Sequence, residues 1–292
     1  MNSMVEKVKK HKVLKSPLRY PGGKGSVYPF FEEVLKLNNL IGAKYYEPFA
    51  GGAGIGIALL SLGIISEVLL NDIDYHIYCF WLSLLKDNER FVEKIENVHL
   101  SIDEWHKQKN IYLQPNTYSI FEVGFSTFFL NRCNRSGIIS GSGPIGGYSQ
   151  SGKWRMDARF NKSALISRFI EIGKMRNMIS IKNNDAIVFL KDNFADDDIN
   201  KSFIYIDPPY VSAGNRLYMN LYKNKDHKEL AEYLLIIKLK HWILTYDDNV
   251  FIKELYDSCS KKIFYKRYSL QKRNVCNELL ITPKTLLIPD GL

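Results

Sequence analysis

The alternation of short buried strands with helices constrains the fold of this 292-residue chain more than any other feature. A strand predicted at 44–47 is followed by a glycine-rich turn, a helix at 55–63 and a strand at 67–72 that ends in a carboxylate. Further strands are predicted at 178–181, 202–206 and 241–245, with helices between them, and 202–206 is the most convincing buried strand. This order predicts an α/β fold that begins like a nucleotide-binding unit.

Strand signals stop in the middle of the chain, from about Tyr75 to Ile170. Helical patterns fill this region up to Leu130, and an irregular stretch runs from Cys133 to Phe160. The sequence therefore predicts an α/β domain interrupted by a mostly helical insert. The boundaries that we predict are a basic N-terminal arm at 1–15, a discontinuous catalytic domain at 16–75 and 172–292, and an insert at 76–171.

Composition narrows the class of protein and of partner. Hydrophobic residues make up 46% of the chain and charged residues 24%, which excludes a wholly disordered or collagen-like protein. The 40 basic and 31 acidic residues leave a net charge of +9, which favours a polyanionic partner. The four cysteines form no Cys-x-x-Cys pair and the histidines lack ligand spacing, so we expect neither a disulfide framework nor a metal site. Without an apolar run of 18 residues, we expect no membrane span and a cytoplasmic location.

The glycine-rich turn between the first strand and its helix is a candidate ligand site. It reads Phe49-Ala50-Gly51-Gly52-Ala53-Gly54, where backbone can approach a ligand and a helix N-terminus offers amide donors. Asp72 lies 21 residues after Gly51, at the distance of a ribose-binding acid. A glycine turn alone is weak support for a binding site, because most such turns are only turns.

The tetrad Asp207-Pro208-Pro209-Tyr210 follows the strongest buried strand and is the sharpest signal in the chain. At that position it lies at the carboxyl edge of a sheet, where open α/β folds bind ligands. Two prolines stiffen the loop and remove two amide donors, which leaves their carbonyl groups free to accept. A carboxylate, a carbonyl and an aromatic face suit a flat ring that carries an exocyclic amine.

Taken together, these motifs resemble the Dam-type family of DNA adenine methyltransferases, which use S-adenosylmethionine. The resemblance covers most of the chain, from Leu18-Arg19-Tyr20-Pro21-Gly22-Gly23-Lys24 through Glu47–Gly52 to the Asp-Pro-Pro-Tyr tetrad and the strand at 241–247. It implies a Rossmann-like methyltransferase fold with an inserted target-recognition domain.

The resemblance also implies roles for individual residues. Cofactor contacts are expected from Tyr20, Lys24, Phe49, Gly51, Asp72 and Asp185, with Asp72 on the ribose and Asp185 on the adenine of the cofactor. The catalytic residues would be Asp207, Pro208, Pro209 and Tyr210. An insert segment that approaches DNA in the family is matched by Asn131-Arg132-Cys133-Asn134-Arg135-Ser136-Gly137, with Arg135 where an aromatic residue is usual.

The insert is also the predicted DNA surface on grounds of charge. Seven basic residues and one acid between 124 and 170 give a local charge of +6. The residues expected to contact duplex DNA are Asn131, Arg132, Arg135, Lys153 and Arg155.

The expected reaction is methyl transfer from S-adenosylmethionine to the exocyclic amine of adenine in duplex DNA. Asp207 would stabilise the charge that develops on the amine, and the base would flip out of the duplex. Two alternatives stay open at this stage: an amino-methyltransferase acting on RNA or on DNA cytosine, and a catalytically weak DNA-binding protein with the same fold. A companion restriction endonuclease, the recognised sequence and the oligomeric state also stay open.

Overall fold

The structure is a computed structural model that describes residues 13–19, 24–194, 201–211, 222–236, 239–268 and 274–290. Within these ranges a mixed sheet of seven strands is flanked by ten α-helices. The strands are β1 (Lys44–Glu47), β2 (Glu67–Asn71), β3 (Ile179–Lys182), β4 (Ser202–Ile206), β5 (Trp242–Asp247), β6 (Ser260–Tyr268) and β7 (Asn274–Thr282). The helices are α1 (Tyr28–Leu37), α2 (Gly54–Ser61), α3 (Tyr75–Lys86), α4 (Asn88–Asn97), α5 (Ile102–Leu113), α6 (Ile120–Cys133), α7 (Lys162–Lys174), α8 (Ala186–Asn193), α9 (Asn224–Ile236) and α10 (Val250–Leu255).

The strand order is β3-β2-β1-β4-β5-β7-β6. The first five strands in this order are parallel, and β7 runs antiparallel to both β5 and β6. An order of 3-2-1-4-5 is that of the doubly wound nucleotide-binding sheet. In it, successive strands are added on one side of β1 up to β3 and on the other side from β4 onward, so the strand order reverses between β1 and β4 while the strands stay parallel. The predicted Rossmann-like α/β fold is therefore confirmed, and ligands of such sheets bind at the point of reversal.

The two strands that flank this reversal are buried, as their sequences predict. In β4 all five residues are buried, which fits its unbroken apolar run Ser-Phe-Ile-Tyr-Ile. In β1 three of four are buried. Phe203 of β4 packs edge-on against Phe31 of α1 with 6.2 Å between ring centroids, so helix α1 covers one face of the sheet.

The region between β2 and β3 is mostly helical and contains α3 to α7, as predicted. It shares one hydrophobic core with the sheet, since Phe80, Phe128 and Phe169 belong to the same cluster as Phe203. Gly124 lets α6 approach α3 closely, because a Cβ there would lie 2.5 Å from the carbonyl oxygen of Cys79. The division into an insert at 76–171 and a catalytic domain stays a prediction.

Candidate active site

The carboxyl ends of the parallel strands surround a cavity of about 810 Å³. The turn after β1 lines the cavity together with three carboxylates that follow other parallel strands: Asp72 after β2, Asp185 after β3 and Asp207 after β4. These groups are far apart in the sequence, but parallel strands deliver their carboxyl ends to one edge of the sheet. The volume lies in the range of small-molecule and cofactor sites.

The glycine turn depends on unusual backbone conformations and on a close contact. Gly51 has φ +44°, and Ala53, which precedes α2, has φ +45°, both in the left-handed region. The indole nitrogen of Trp81 donates to the carbonyl oxygen of Gly51 at 2.9 Å and holds the turn against α3. A Cβ on Gly54 would lie only 3.0 Å from the Cα of Gly25, so this pair of glycines brings the segment after Lys24 against the turn.

The acids that line the cavity differ in their surroundings. Asp72 accepts a hydrogen bond from the amide of Gly51 at 2.8 Å, and burial, with a smaller contribution from Asp74, raises the pKa of Asp72 to about 7. Asp185 is exposed and caps α8 by accepting from the amide of Ile187 at 2.8 Å. A carboxylate at each of these places can accept hydrogen bonds from a sugar hydroxyl or a base amine.

The aromatic side of the cavity is formed by Phe49, whose ring meets that of Tyr222 edge-on at 5.7 Å between centroids. Tyr222 follows the tetrad by a dozen residues and is a cavity residue that the sequence did not single out. Tyr20, a predicted cofactor contact, lies outside the described residues.

Lys24 is buried and contacts the Asp-Pro-Pro-Tyr tetrad directly. Its Nζ donates to Oδ1 of Asp207 at 2.5 Å, to the hydroxyl of Tyr210 at 2.8 Å and to Oγ1 of Thr245 at 2.7 Å. Lys24 also forms an ion pair with Oε2 of Glu278 at 3.3 Å. The structure therefore places Lys24, which was predicted to touch the cofactor, within a network that holds Asp207.

Thr245 and Glu278 complete this network and were missed by the sequence reasoning. Thr245 on β5 donates from Oγ1 to Oδ1 of Asp207 at 2.7 Å, and the Tyr210 hydroxyl donates to Oε1 of Glu278 at 2.9 Å. Glu278 is 1% exposed and begins the apolar run that continues through Leu279 and Leu280. A lone acid directly before a buried apolar run was the signal that could have revealed it.

Glu47 is a second buried acid beside the cavity. Its Oε1 accepts from the amide of Gly56 at 3.2 Å, which ties the end of β1 to α2. Burial raises the pKa of Glu47 to about 8, because little water remains to solvate its charge. Glu47 therefore carries a proton over most of the pH range below neutrality.

The predicted DNA-binding residues fall into two groups. Asn131 and Arg132 are buried at 1% and 8% exposure. The Asn131 side chain accepts from the amide of Arg19 at 2.7 Å and donates to its carbonyl oxygen at 2.8 Å, and Arg132 donates to the carbonyl oxygen of Pro17. In this structure the last turn of α6 is buried, and the two side chains bind the segment 16–19.

Arg135, Lys153 and Arg155 form the second group, and all three are exposed. They lie on the irregular stretch after α6, next to two exposed aromatic residues, Tyr148 and Trp154. Tyr148 stacks on His106 at 5.8 Å between ring centroids, which attaches this stretch to α5. Exposed cations beside aromatic rings are suited to contact phosphates and bases.

The described part of the chain contains neither a metal-binding cluster nor a membrane-spanning helix. No three His, Cys, Asp or Glu side chains there lie close enough together to hold a metal ion. No helix in the same ranges combines the length and hydrophobicity needed to cross a bilayer.

Comparison with known families identifies the family to which the chain belongs. Residues 20–274 match the model of the D12 class N6 adenine-specific DNA methyltransferases. The chain belongs to this family. The match spans the glycine turn, the insert and the Asp-Pro-Pro-Tyr tetrad, so the resemblance found in the motifs is confirmed.

The family identifies this protein as a methyltransferase that modifies adenine in DNA with S-adenosylmethionine as methyl donor. The family supports methylation of adenine in DNA over the alternatives left open by the sequence, an RNA or cytosine substrate and a catalytically weak DNA-binding protein. A comparison with curated proteins found no significant match. Among solved structures, the chain is similar to the rRNA methyltransferase AviRa of Streptomyces viridochromogenes at 12% identity, covering 92% of this chain and 88% of that one. The TM-score of 0.38 is too low to support any argument from that similarity.

Proposed function

We propose that Asp207, the carbonyl group of Pro208 and the ring of Tyr210 bind the target adenine of duplex DNA for methylation at its exocyclic amine. The observation that supports this is the position of Asp207: it follows β4 and lines the same cavity as the turn 48–54, Asp72 and Asp185. A target amine next to Asp207 would therefore lie in one cavity with a cofactor held by the other strand ends.

The residues present fit S-adenosylmethionine. Asp72 and Asp185 offer carboxylate acceptors for the ribose and for the adenine amine, and Phe49 offers an apolar ring beside them. Gly51 contributes backbone that no side chain shields. S-adenosylmethionine supplies a methyl group on a sulfonium, which makes that carbon electrophilic. The chain's own residues then need only orient the acceptor amine in line with it.

The two oxygens of Asp207 are proposed to have different tasks. Lys24 and Thr245 both donate to Oδ1, whereas no described residue donates to Oδ2. The Asp207 side chain is 29% exposed, so Oδ2 is open to the cavity. We assign Oδ2 to accept one hydrogen of the adenine amine and the Pro208 carbonyl to accept the other. The amine gains positive charge during transfer, and the carboxylate stabilises that charge.

This arrangement requires the target base to leave the duplex. An adenine in a stacked helix cannot reach a carboxylate at the edge of a cavity, so the base must flip. Tyr210 is half-buried with its hydroxyl held by Lys24 and Glu278, which fixes the plane of the ring against which a flipped base would stack.

Arg135, Lys153 and Arg155 are the proposed contacts to the duplex. They are exposed cations in a region whose net charge between 124 and 170 is +6. Asn131 and Arg132 are left out of this surface because they are buried. Together with the net charge of the whole chain, this surface supports a protein that stays associated with DNA in the cytoplasm.

The reaction is tested by incubating the protein with methyl-labelled S-adenosylmethionine and unmethylated duplex DNA, with RNA in parallel. We expect label only in methylated deoxyadenosine after digestion to nucleosides. Asp207→Ala should lower methyl transfer by about 10²–10³-fold while leaving cofactor binding intact. Asp192→Ala, which removes an exposed aspartate from α8, is the matched control and should retain activity. An active Asp207→Ala protein would contradict the assignment.

The DNA surface is tested by the salt dependence of binding. Arg135→Ala should weaken duplex binding and reduce the slope of log affinity against log salt by about one. Arg176→Ala removes the same charge from an exposed pair with Glu89 and serves as the control. Equal slopes in the two variants would remove Arg135 from the interface.

Mapping of the methylated positions would show the recognised sequence. A companion restriction endonuclease that cuts this sequence is part of the proposal. Its test is whether DNA methylated by the protein resists cleavage by the nuclease fraction of the same cells, while unmethylated DNA of the same sequence is cut.

A further inference from the structure

Three arginines line the cavity where the segment 16–19 packs against the insert: Arg19 belongs to that segment, and Arg132 and Arg168 bind it from the insert. Arg132 donates to the carbonyl oxygen of Pro17, Arg168 donates to that of Ser16 at 2.7 Å, and Arg19 donates to that of Asn134 at 3.1 Å. All three line the same cavity as the glycine turn and Asp72. We call them the arginine cluster.

The cluster has no counter-charge in the described part of the chain. None of its members forms a salt bridge there, although Arg132 is only 8% exposed and the other two are half-buried. Burial, followed by the neighbouring charges of Arg168 and Arg19, lowers the pKa of Arg132 to about 9. Three guanidinium groups placed together with only backbone carbonyls as acceptors are costly unless an anion joins them.

Arg132 also carries a donor that is buried and unused. Its Nε has no hydrogen-bond partner among the described residues, although the atom is buried and the residue lines the cavity. An unsatisfied buried N–H costs about 1–3 kcal/mol, more when it belongs to a charged group. A planar oxyanion satisfies such a donor and a neighbouring terminal nitrogen at the same time.

We propose that the arginine cluster binds the α-carboxylate of S-adenosylmethionine, with Arg132 and Arg168 as the principal contacts; this rests on the function proposed above. The carboxylate is the only anionic group of that cofactor. The other charged groups of the lining suit its remaining parts, since Asp72 and Asp185 accept from hydroxyls and amines. The cavity thus has carboxylates at the strand ends, which suit the nucleoside part of the cofactor. It has guanidinium groups on the side of the insert, which suit the carboxylate at the other end of the cofactor.

A phosphate of the DNA backbone has similar oxyanion chemistry and is the competing source. The burial of Arg132 favours the cofactor, because a duplex phosphate can reach exposed cations such as Arg135 and Lys153 more readily. The cluster also shares its cavity with the glycine turn, and this places it at the cofactor.

The test compares S-adenosylmethionine with its decarboxylated form, which lacks only the carboxylate, by calorimetric titration of the full chain. We expect the wild-type protein to bind the intact cofactor about 10- to 100-fold more tightly, as for one or two hydrogen bonds to a charged group. Arg168→Gln should lose about tenfold for the intact cofactor and stay within about twofold for the decarboxylated form. Arg168→Lys, which keeps the charge but not the fork, should fall between the two.

Arg176→Gln is the matched control, since Arg176 is exposed and paired with Glu89 away from the cavity lining. Arg132→Gln should also lose affinity for the intact cofactor but not for the decarboxylated form. If burial of Arg132 prevents this variant from folding, the Arg168 variants still test the proposal. Equal losses for both ligands in Arg168→Gln would overturn the proposal, because Arg168 would then only hold Ser16.

Two other outcomes are distinguishable. Unchanged cofactor affinity in Arg168→Gln with a salt slope for DNA reduced by about one would assign the cluster to a phosphate and also overturn the proposal. No binding of S-adenosylmethionine by the wild-type protein would instead contradict the function on which the proposal rests.

Discussion

Replacing Lys24 by methionine tests whether the buried cation holds the network around Asp207 together. The side chain of Lys24 is 3% exposed and that of Glu278 is 1% exposed, with 3.3 Å between Nζ and Oε2. Lys24→Met removes this cation from beside the buried Glu278 but keeps most of the side-chain volume. Breaking a buried ion pair in this way costs about 3–5 kcal/mol of unfolding free energy.

With an unfolding entropy of about 2.1 cal/mol/K per residue, such a loss lowers the melting temperature of this chain by about 5–8 °C. Urea denaturation of Lys24→Met should show the loss directly as a lower midpoint with an unchanged slope. Adding Glu278→Gln to Lys24→Met removes the buried negative charge that Lys24 neutralised, so the double variant should regain about 1–3 kcal/mol. Methyl transfer should stay low in both, since Asp207 has lost its charged donor and keeps only Thr245 among the described residues.

Lys36→Met is the matched control, because Lys36 pairs with Glu32 at 2.5 Å but is 55% exposed. An exposed pair of this kind contributes less than about 1 kcal/mol. Equal losses in Lys24→Met and Lys36→Met, or no recovery in the double variant, would refute the reasoning that burial makes the Lys24–Glu278 pair matter.

Three further predictions follow from the cavity. The free energy of unfolding should fall as the pH rises from about 4.5 to about 8, because the raised pKa of Glu47 makes its ionisation costly in the folded protein. Urea titrations at several pH values measure this dependence, and Glu47→Gln should remove part of it. An unchanged pH dependence in Glu47→Gln would contradict the prediction. Affinity for S-adenosylmethionine should fall about tenfold per pH unit below the pKa of Asp72, near 7, because only the ionised carboxylate accepts both hydrogen bonds. Asp72→Asn should bind the cofactor weakly and show no such pH dependence. A wild-type affinity that stays constant from pH 6 to 8 would contradict the prediction. Gly54→Ala should weaken cofactor binding, because the new Cβ would lie 3.0 Å from the Cα of Gly25 and displace the segment after Lys24. Gly63→Ala is the control for backbone strain, since Gly63 has φ +70° and no atom within 4 Å of the added Cβ. Equal losses of cofactor affinity in the two variants would count against the role of the Gly54–Gly25 contact.

Local sequence was enough to predict the parallel strands of the sheet. The bounds of β1 and β4 match the predicted strands, and the end of β2 lies one residue from its predicted end. The stretches 262–268 and 278–281 indicate a closing antiparallel pair in the sequence, and β6 and β7 are longer than these stretches in the structure. The polar flanks of the pair look like loop in the sequence, and only pairing between β6 and β7 makes them strand.

In the insert, by contrast, local sequence was not enough to predict which basic residues are exposed. The basic count between 124 and 170 indicated a DNA surface, but it could not separate Arg132 from Arg135. Arg132 lies on the last turn of α6, where the helix packs against the segment 16–19, and is buried; Arg135 lies three residues later and is exposed. Burial depends on what packs against a residue, and charge counts carry no information on that.

The sequence by itself determined that Asp72, Asp185 and Asp207 would meet at one edge of the sheet, because each follows a buried parallel strand and such strands end together. Only the tertiary structure decided which groups surround them. Lys24 and Glu278 come from opposite ends of the chain and meet at Asp207, and the pKa of Glu47 rises because distant segments exclude water from it. Periodicity and motif order are local properties of the chain, whereas contacts and dielectric surroundings arise only when the whole chain has packed.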